Sequence, residues 1–334
     1  MPKTDYDKEL LGFSLPAIGM LAKKARFYLF AAVRFYNFEI KNMRKSVIHI
    51  GLLFGAGLLL ASPVSAQRAD SLMQKGYQLV WQDEFDQDGK PDPKNWTYEQ
   101  GFVRNKELQW YQSQNAEVRD GVLVITGKKE KVKNPAYQAE SDSWQKNRPY
   151  AEYTSSSVIS KGLREFQYGY FEVRARIPAA RGSWPAIWLL GSKKHYGWPS
   201  CGEIDIMEFY PRKGHALLHA NACWGDDKGG SVWDSAAVPY AEFTQQDSLW
   251  ATRFHVWAME WTDKKIDLYL DDRLMNTIDL TKTVNGKHGN YENPFHKPMY
   301  LLLNLAMGAT GGRIDENALP MRYEVDYVRV YQKK

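Results

Sequence analysis

The chain has 334 residues, 44 Lys and Arg against 39 Asp and Glu, and only two cysteines. That length suits one large domain or two small ones, and two cysteines exclude a disulfide-dense mini-scaffold. The formal charge of +5 is unevenly placed. Residues 1–66 carry 9 basic and 4 acidic residues, so the remainder holds 35 of each and is neutral. A neutral remainder excludes the basic footprint of a nucleic-acid binder and points to an uncharged partner.

In chain order, the first signal is a leader. Arg44 and Lys45 precede an apolar stretch from Val47 to Ala61, and Val64-Ser65-Ala66 offers a small-x-small exit before Gln67. Basic start, apolar middle and small-residue exit describe a secretory signal peptide over 43–66. The alternative, a membrane anchor, needs ~20 apolar residues and this run is shorter. Cleavage implies a secreted or periplasmic protein with no membrane attachment. Residues 1–42 read as an upstream extension from a start codon assigned too early, with Met43 as initiator.

From Gln67 onward the chain reads as one domain of strands and turns. Short β-rich runs occupy Tyr77 to Trp81, Val118 to Lys128, Ser156 to Ser160, Tyr168 to Ile177 and Ala186 to Leu190. Others follow at Glu203 to Tyr210, Ala216 to Cys223, His255 to Thr262, Lys265 to Leu270, Met299 to Leu305 and Tyr323 to Gln332. Several alternate with period two, and Gly, Pro, Asn or Asp clusters separate them. Asp271-Asp272 reads as a hairpin turn. No helical pattern of convincing length is visible. Lys131 to Arg148 is polar and aperiodic, a long surface loop that could border a cleft. The expectation is an all-β, antiparallel sandwich, monomeric. All 12 tryptophans follow residue 66; they suit core packing or stacking on the apolar faces of sugar rings.

The sharpest feature is Glu203-Ile204-Asp205-Ile206-Met207-Glu208. On a regular strand Glu203 and Asp205 share one face, and strict alternation turns Glu208 to the other. One extra residue, a β-bulge near Ile206-Met207, would return Glu208 to the first face. Clustered carboxylates raise one another's pKa, a cost that solubility does not require. A retaining glycosidase does require it: one ionised nucleophile and one protonated acid, ~5–5.5 Å apart. On a straight strand the two glutamates sit on the order of 13 Å apart at Cα, so the sheet must curve. The competing readings are a solvated acidic face or a metal site.

The neighbouring segments carry a resemblance. Gly182-Ser-Trp-Pro-Ala-Ile-Trp-Leu-Leu-Gly191 precedes the carboxylate strand, and Trp198-Pro-Ser-Cys-Gly-Glu-Ile-Asp-Ile-Met-Glu-Phe209 contains it. With Asn105 to Tyr111, Met299 to Gly308 and Val325 to Tyr331, they resemble glycoside hydrolase family 16, nearest its bulged, laminarinase-like branch. The resemblance spans residues 77–332 in order. It implies a concanavalin-like jelly roll with a cleft across its concave sheet, and retaining, endo-acting hydrolysis of β-1,3- or β-1,3-1,4-glucans. By the same resemblance Glu203 is the nucleophile, Glu208 the acid/base and Asp205 their helper. Trp184 and Trp188 are glycone-side stacking residues, and Asn105 and Asn304 polar contacts there. No catalytic cofactor is implied. A structural calcium is, with Asp326 as side-chain ligand and Glu84 and Gly121 offering backbone oxygens.

A hairpin around Pro211-Arg-Lys-Gly214 would set Asp205 opposite His219 and Cys201 opposite Cys223, before allowing for the bulge. His219 would then face the cleft, Trp224 could stack at a leaving-group subsite, and Cys201–Cys223 becomes a candidate disulfide. Two other functional readings stand beside the glucanase: the same fold acting on another polysaccharide such as agar or porphyran, and a non-catalytic glucan-binding protein.

Overall fold

A computed structural model describes residues 63–192 and 196–334. The expected extension over 1–42 and the expected leader, as far as residue 62, lie outside the described residues. Residues 63–66 open helix α1 (Pro63–Gln74), an element the hydrophobic pattern does not announce. Its Leu72 is buried against Tyr77 and Tyr331, and Arg68 reaches Glu172 at 3.2 Å and Asp272 at 2.8 Å. A single apolar anchor and one ion-paired arginine hold the helix, too little periodicity to be read from sequence. Among the described residues no helix is long and apolar enough to cross a membrane.

Two sheets enclose the core. The eight-stranded sheet contains β1 (Thr97–Tyr98), β2 (Ser157–Ile159), β3 (Glu165–Phe166), β4 (Ser183–Gly191), β5 (Glu203–Arg212), β6 (His215–Gly225), β7 (Ser231–Pro239) and β8 (Met299–Met307). Its order is β7-β6-β5-β4-β8-β2-β1, with β3 also pairing β8. The ten-stranded sheet is centred on Gly169–Arg176 and the C-terminal strand Met321–Lys333. Among the described residues every strand pairing is antiparallel except the short one between Gln109–Tyr111 and Tyr150–Ser155. This is the expected all-β sandwich. The Asp271-Asp272 turn is present, both residues at positive φ (46° and 68°) between Leu270 and Arg273, as a two-residue hairpin of this twist demands.

Strand β4 shows how the layers divide. Ile187 and Leu189 are fully buried in the inter-sheet core, while Trp184, Ala186, Trp188 and Leu190 line the opposite, open face. The same parity continues on β8: Leu301, Leu303 and Leu305 enter the core, and Tyr300, Asn304 and Ala306 line the open face. Period-two alternation therefore builds a hydrophobic layer on one side and a polar, aromatic floor on the other.

Strand β5 departs from that rule where the sequence requires it. Asp205 pairs with Asn221 and Glu208 with His219, so two β5 residues stand against Ala220 alone. This bulge sits at Ile206-Met207. Both residues turn into the core, 2 % and 0 % exposed, each burial being worth ~2 kcal/mol. The extra residue lets two apolar side chains bury in succession and swings Glu208 back to the face of Asp205.

Candidate active site

A cleft of about 690 Å³ crosses the open face of the eight-stranded sheet. Glu203, Asp205 and Glu208 of β5 lie in its floor, beside Trp184 and Trp188 of β4, Asn304 of β8 and Asn221 of β6. Each carboxylate has its own partners. The Trp198 indole N–H donates to Glu203 Oε2 at 2.7 Å, and the Trp184 indole to Glu208 Oε1 at 2.9 Å. Asn221 Nδ2 lies between, donating to Asp205 Oδ2 at 3.3 Å and Glu208 Oε2 at 3.1 Å. Asp205 is hydrogen-bonded to both glutamates.

Three carboxyl groups in such a row cannot all be ionised. Burial, then Glu208, then Glu203 push Asp205 well above the usual carboxylate range. Burial and the Glu203 charge raise Glu208 to about 7. Glu203 is raised by burial too, but the Trp198 hydrogen bond, the Arg104 charge and Asp205 all pull it back. The row therefore keeps protons on Asp205 and Glu208 and favours the anion at Glu203. Asp205, expected only as a helper, is itself a proton holder because it is the most deeply buried of the three.

The other expected residues divide. Trp188 donates to Asn304 Oδ1 at 2.7 Å, and Asn304 donates in turn to the Tyr111 hydroxyl at 3.0 Å. Asn105 also lines the cleft. His219 faces it as expected but across from Glu208, not Asp205. The reason is the turn: Lys213-Gly214 alone closes the hairpin, with φ of 51° and 83° and Arg212 paired to His215. Pro211 belongs to the strand, so the register moves by three residues next to the turn and, with one taken back by the bulge, by two at Asp205 and Glu203. The ring of His219 stacks on Tyr210 at 3.7 Å, and burial pulls its pKa down to about 4. It is neutral at ordinary pH.

Trp224 does not reach the cleft. It lies on the core side of β6 and meets Phe295 edge-on at 6.4 Å, because even-numbered residues of that strand face inward. Trp233 of β7, missed in the sequence, lines the cleft instead and is 43 % exposed. Cys201 and Cys223 are not bridged. In the two-residue turn's register Cys223 faces Glu203, and Cys201 precedes the strand. Of the donors the resemblance assigns to calcium, the Asp326 carboxylate accepts from Arg174 Nη1 at 2.5 Å, and Glu84 is assigned by its backbone oxygen, its side chain pairing with Arg329. Gly121 sits in the turn between Ala116–Arg119 and Val122–Lys133.

Sequence reasoning also passed over Asn221, Trp198, Arg104 and Glu107. Asn221 was legible, since it is two residues from His219 and shares its face. Trp198 and Arg104 approach from loops, which carry no periodicity. Arg104 pairs with Glu99 and lies 5.0 Å over the Trp188 ring. Glu107, 2 % exposed, is raised to about 7 by burial.

Comparison with known proteins agrees with this geometry. Residues 104–329 match the model of glycosyl hydrolases family 16. A β-glucanase of Rhodothermus marinus is 36 % identical over 311 residues, covering 87 % of this chain and 96 % of that protein. The solved laminarinase of Rhodothermus marinus superposes with a TM-score of 0.61 at 35 % identity, covering 77 % of this chain and 97 % of that one. A structure from work on endo-acting O-glycanases of the human gut microbiota superposes with 0.68 at 35 % identity, covering 78 % and 92 %. With most of its sandwich inside that match, the chain belongs to glycosyl hydrolase family 16 and is a glycoside hydrolase.

Proposed function

We propose that the protein is an endo-acting, retaining hydrolase of β-1,3-glucans or mixed β-1,3-1,4-glucans, working outside the cytoplasm once its leader is removed. The observation that carries this reading is the bulge at Ile206-Met207, which puts Glu208 beside Glu203 with Asp205 between them. Glu208, protonated below about 7, donates its proton to the glycosidic oxygen as the C1–O bond breaks. Glu203 attacks C1 and forms the glycosyl-enzyme. A water then attacks C1, Glu208 takes its proton, and Glu203 leaves as the anion.

Trp198 and Arg104 favour the Glu203 anion before and after the cycle, and Asp205 relieves the charge between the glutamates. Trp184 and Trp188 offer stacking surfaces on the glycone side, with Asn105 and Asn304 as polar contacts, and Trp233 takes the leaving-group role that Trp224 cannot. The open cleft suits internal cleavage of a chain. The neutral charge after residue 66 and the β-glucanase and laminarinase relatives support a neutral glucan. The O-glycanase likeness favours a second reading, a mucin-type O-glycan.

Product analysis on laminarin, barley glucan, agarose and mucin-type O-glycans tests the substrate. Oligosaccharides of mixed length from either glucan are expected. Hydrolysis of agarose or a mucin-type O-glycan with neither glucan cut would refute the substrate. Glu203→Gln should lower kcat by ~10⁴-fold, and undiminished activity in that variant would refute the mechanism.

A further inference from the structure

The segment read from sequence as a long surface loop has an anchor in the cleft wall. Residues 134–149 form a closed Ω-loop. At its neck the Asn134 backbone N–H donates to the Pro149 carbonyl at 2.9 Å. The Asn134 side chain, 2 % exposed, donates to the carbonyls of Gln145 at 2.7 Å and Arg148 at 2.8 Å. Trp144 on the loop packs against Phe102 at 5.9 Å, and Phe102 meets Trp110 at 5.4 Å.

Arg148 is held in that aromatic setting, its guanidinium 5.1 Å from both the Phe102 and Trp144 rings. From there Nη1 donates to the Glu107 carbonyl at 2.7 Å and Nη2 to the Lys106 carbonyl at 3.2 Å. Those carbonyls belong to an unusual turn. Asn105 and Lys106 are consecutive non-glycine residues at φ of 56° and 54°, a left-handed region that L-residues disfavour. The turn nevertheless carries Arg104, Asn105 and Glu107, all of which line the cleft. A planar fork suits two adjacent carbonyls in a way a lysine cannot match.

We propose that Arg148 is a positioning residue for the glycone end of the cleft: it holds the Asn105–Lys106 turn in its left-handed form and so aims Asn105 at the sugar, while Arg104 is tied separately to Glu99. Arg148 does not line the cleft itself; it acts through the turn. The Ω-loop is then a brace that keeps an unfavourable backbone ready for the ligand, so that binding need not drive its ordering. The inference rests on the glycan-hydrolase reading for its kinetic consequence but not for its structural one.

Arg148→Met keeps an apolar stem against the two rings and removes both donors. Hydrogen exchange at residues 104–108, measured without substrate, should be faster in that variant, and Arg148→Lys, with a single ammonium, should fall between. On a glucan oligosaccharide long enough to reach the turn, KM should rise about tenfold with kcat within about twofold. A short aryl glycoside bound only at Glu203 and Glu208 should show an unchanged kcat/KM. Unchanged exchange would overturn the proposal whatever the substrate. So would a loss of kcat and Tm with KM unmoved, or an equal effect on the short and long substrates. Faster exchange in an enzyme that cuts neither glucan would leave the brace standing and refute the substrate reading alone.

Discussion

Trp184→Phe separates two roles that the structure gives one side chain. The indole N–H donates to Glu208 Oε1 at 2.9 Å, and the ring lies edge-on to Tyr210 at 5.6 Å. Phenylalanine keeps an aromatic surface there and deletes the donor. A hydrogen bond to a charged group is worth about 1.5–3 kcal/mol, and Trp184 is only 9 % exposed, so water replaces it poorly. Asn221 still donates to the other oxygen at 3.1 Å, and Asp205 shares the proton, which argues for the low end of that range. At 1.36 kcal/mol per unit the loss raises Glu208 by about one unit. Glu208 must be protonated to act as the acid, and its pKa is about 7. The variant should therefore lose activity at its optimum yet hold its alkaline limb about one unit higher than wild type. The assay is kcat/KM against pH from 5 to 9 on laminarin. An alkaline limb that stays put or moves down would refute the assignment of Glu208 and of the indole hydrogen bond.

Glu208→Gln should abolish turnover and improve stability on the alkaline side. Glu208 is raised from 4.5 to about 7, so the stability linked to its neutral form is full below about 4.5 and lost as pH rises through 7. Urea denaturation should find the variant close to wild type at pH 4 and more stable by about 1–3 kcal/mol at pH 8; no gain at pH 8 would count against the buried triad. His219, pulled down to about 4 by burial, is neutral across the working range, so His219→Gln should leave both limbs of the pH profile in place, and a lost limb near 6.5 would contradict this. Trp224→Ala should cost about 3–5 kcal/mol of stability as a core truncation. Trp233→Ala, at the cleft mouth, should raise KM several-fold, roughly 1 kcal/mol in binding, with Tm unchanged. The opposite pattern would reverse the two assignments.

Several of these features can be read from the residues alone, for a physical reason. Period-two alternation is a local property, so Ile187 and Leu189 declare a core face and Trp184 and Trp188 an opposite one before any fold is known. The bulge is legible for the same reason: three acids needed on one face, and Ile206-Met207 able to bury together, leave one place for the extra residue. The register across the hairpin depends instead on which residues turn. Pro211 looked like part of a loop, yet Lys213-Gly214 closes the hairpin alone, and two residues of slip moved Asp205 from His219 to Asn221.

Trp224 failed for want of one parity count along β6: it stands five residues from the cleft-facing His219, so alternation alone turns it to the core. What tertiary structure alone decided are the contacts made at long range from segments without periodicity: Trp198 on Glu203, Arg104 over Trp188, Arg148 beneath the Asn105–Lys106 turn. So is the protonation of the row, because desolvation depends on what covers a side chain. The sequence by itself determined that Glu203, Asp205 and Glu208 would share a face. Only the packed sandwich determined that Asp205 would be the most buried of them, and that the proton would rest there as well as on Glu208.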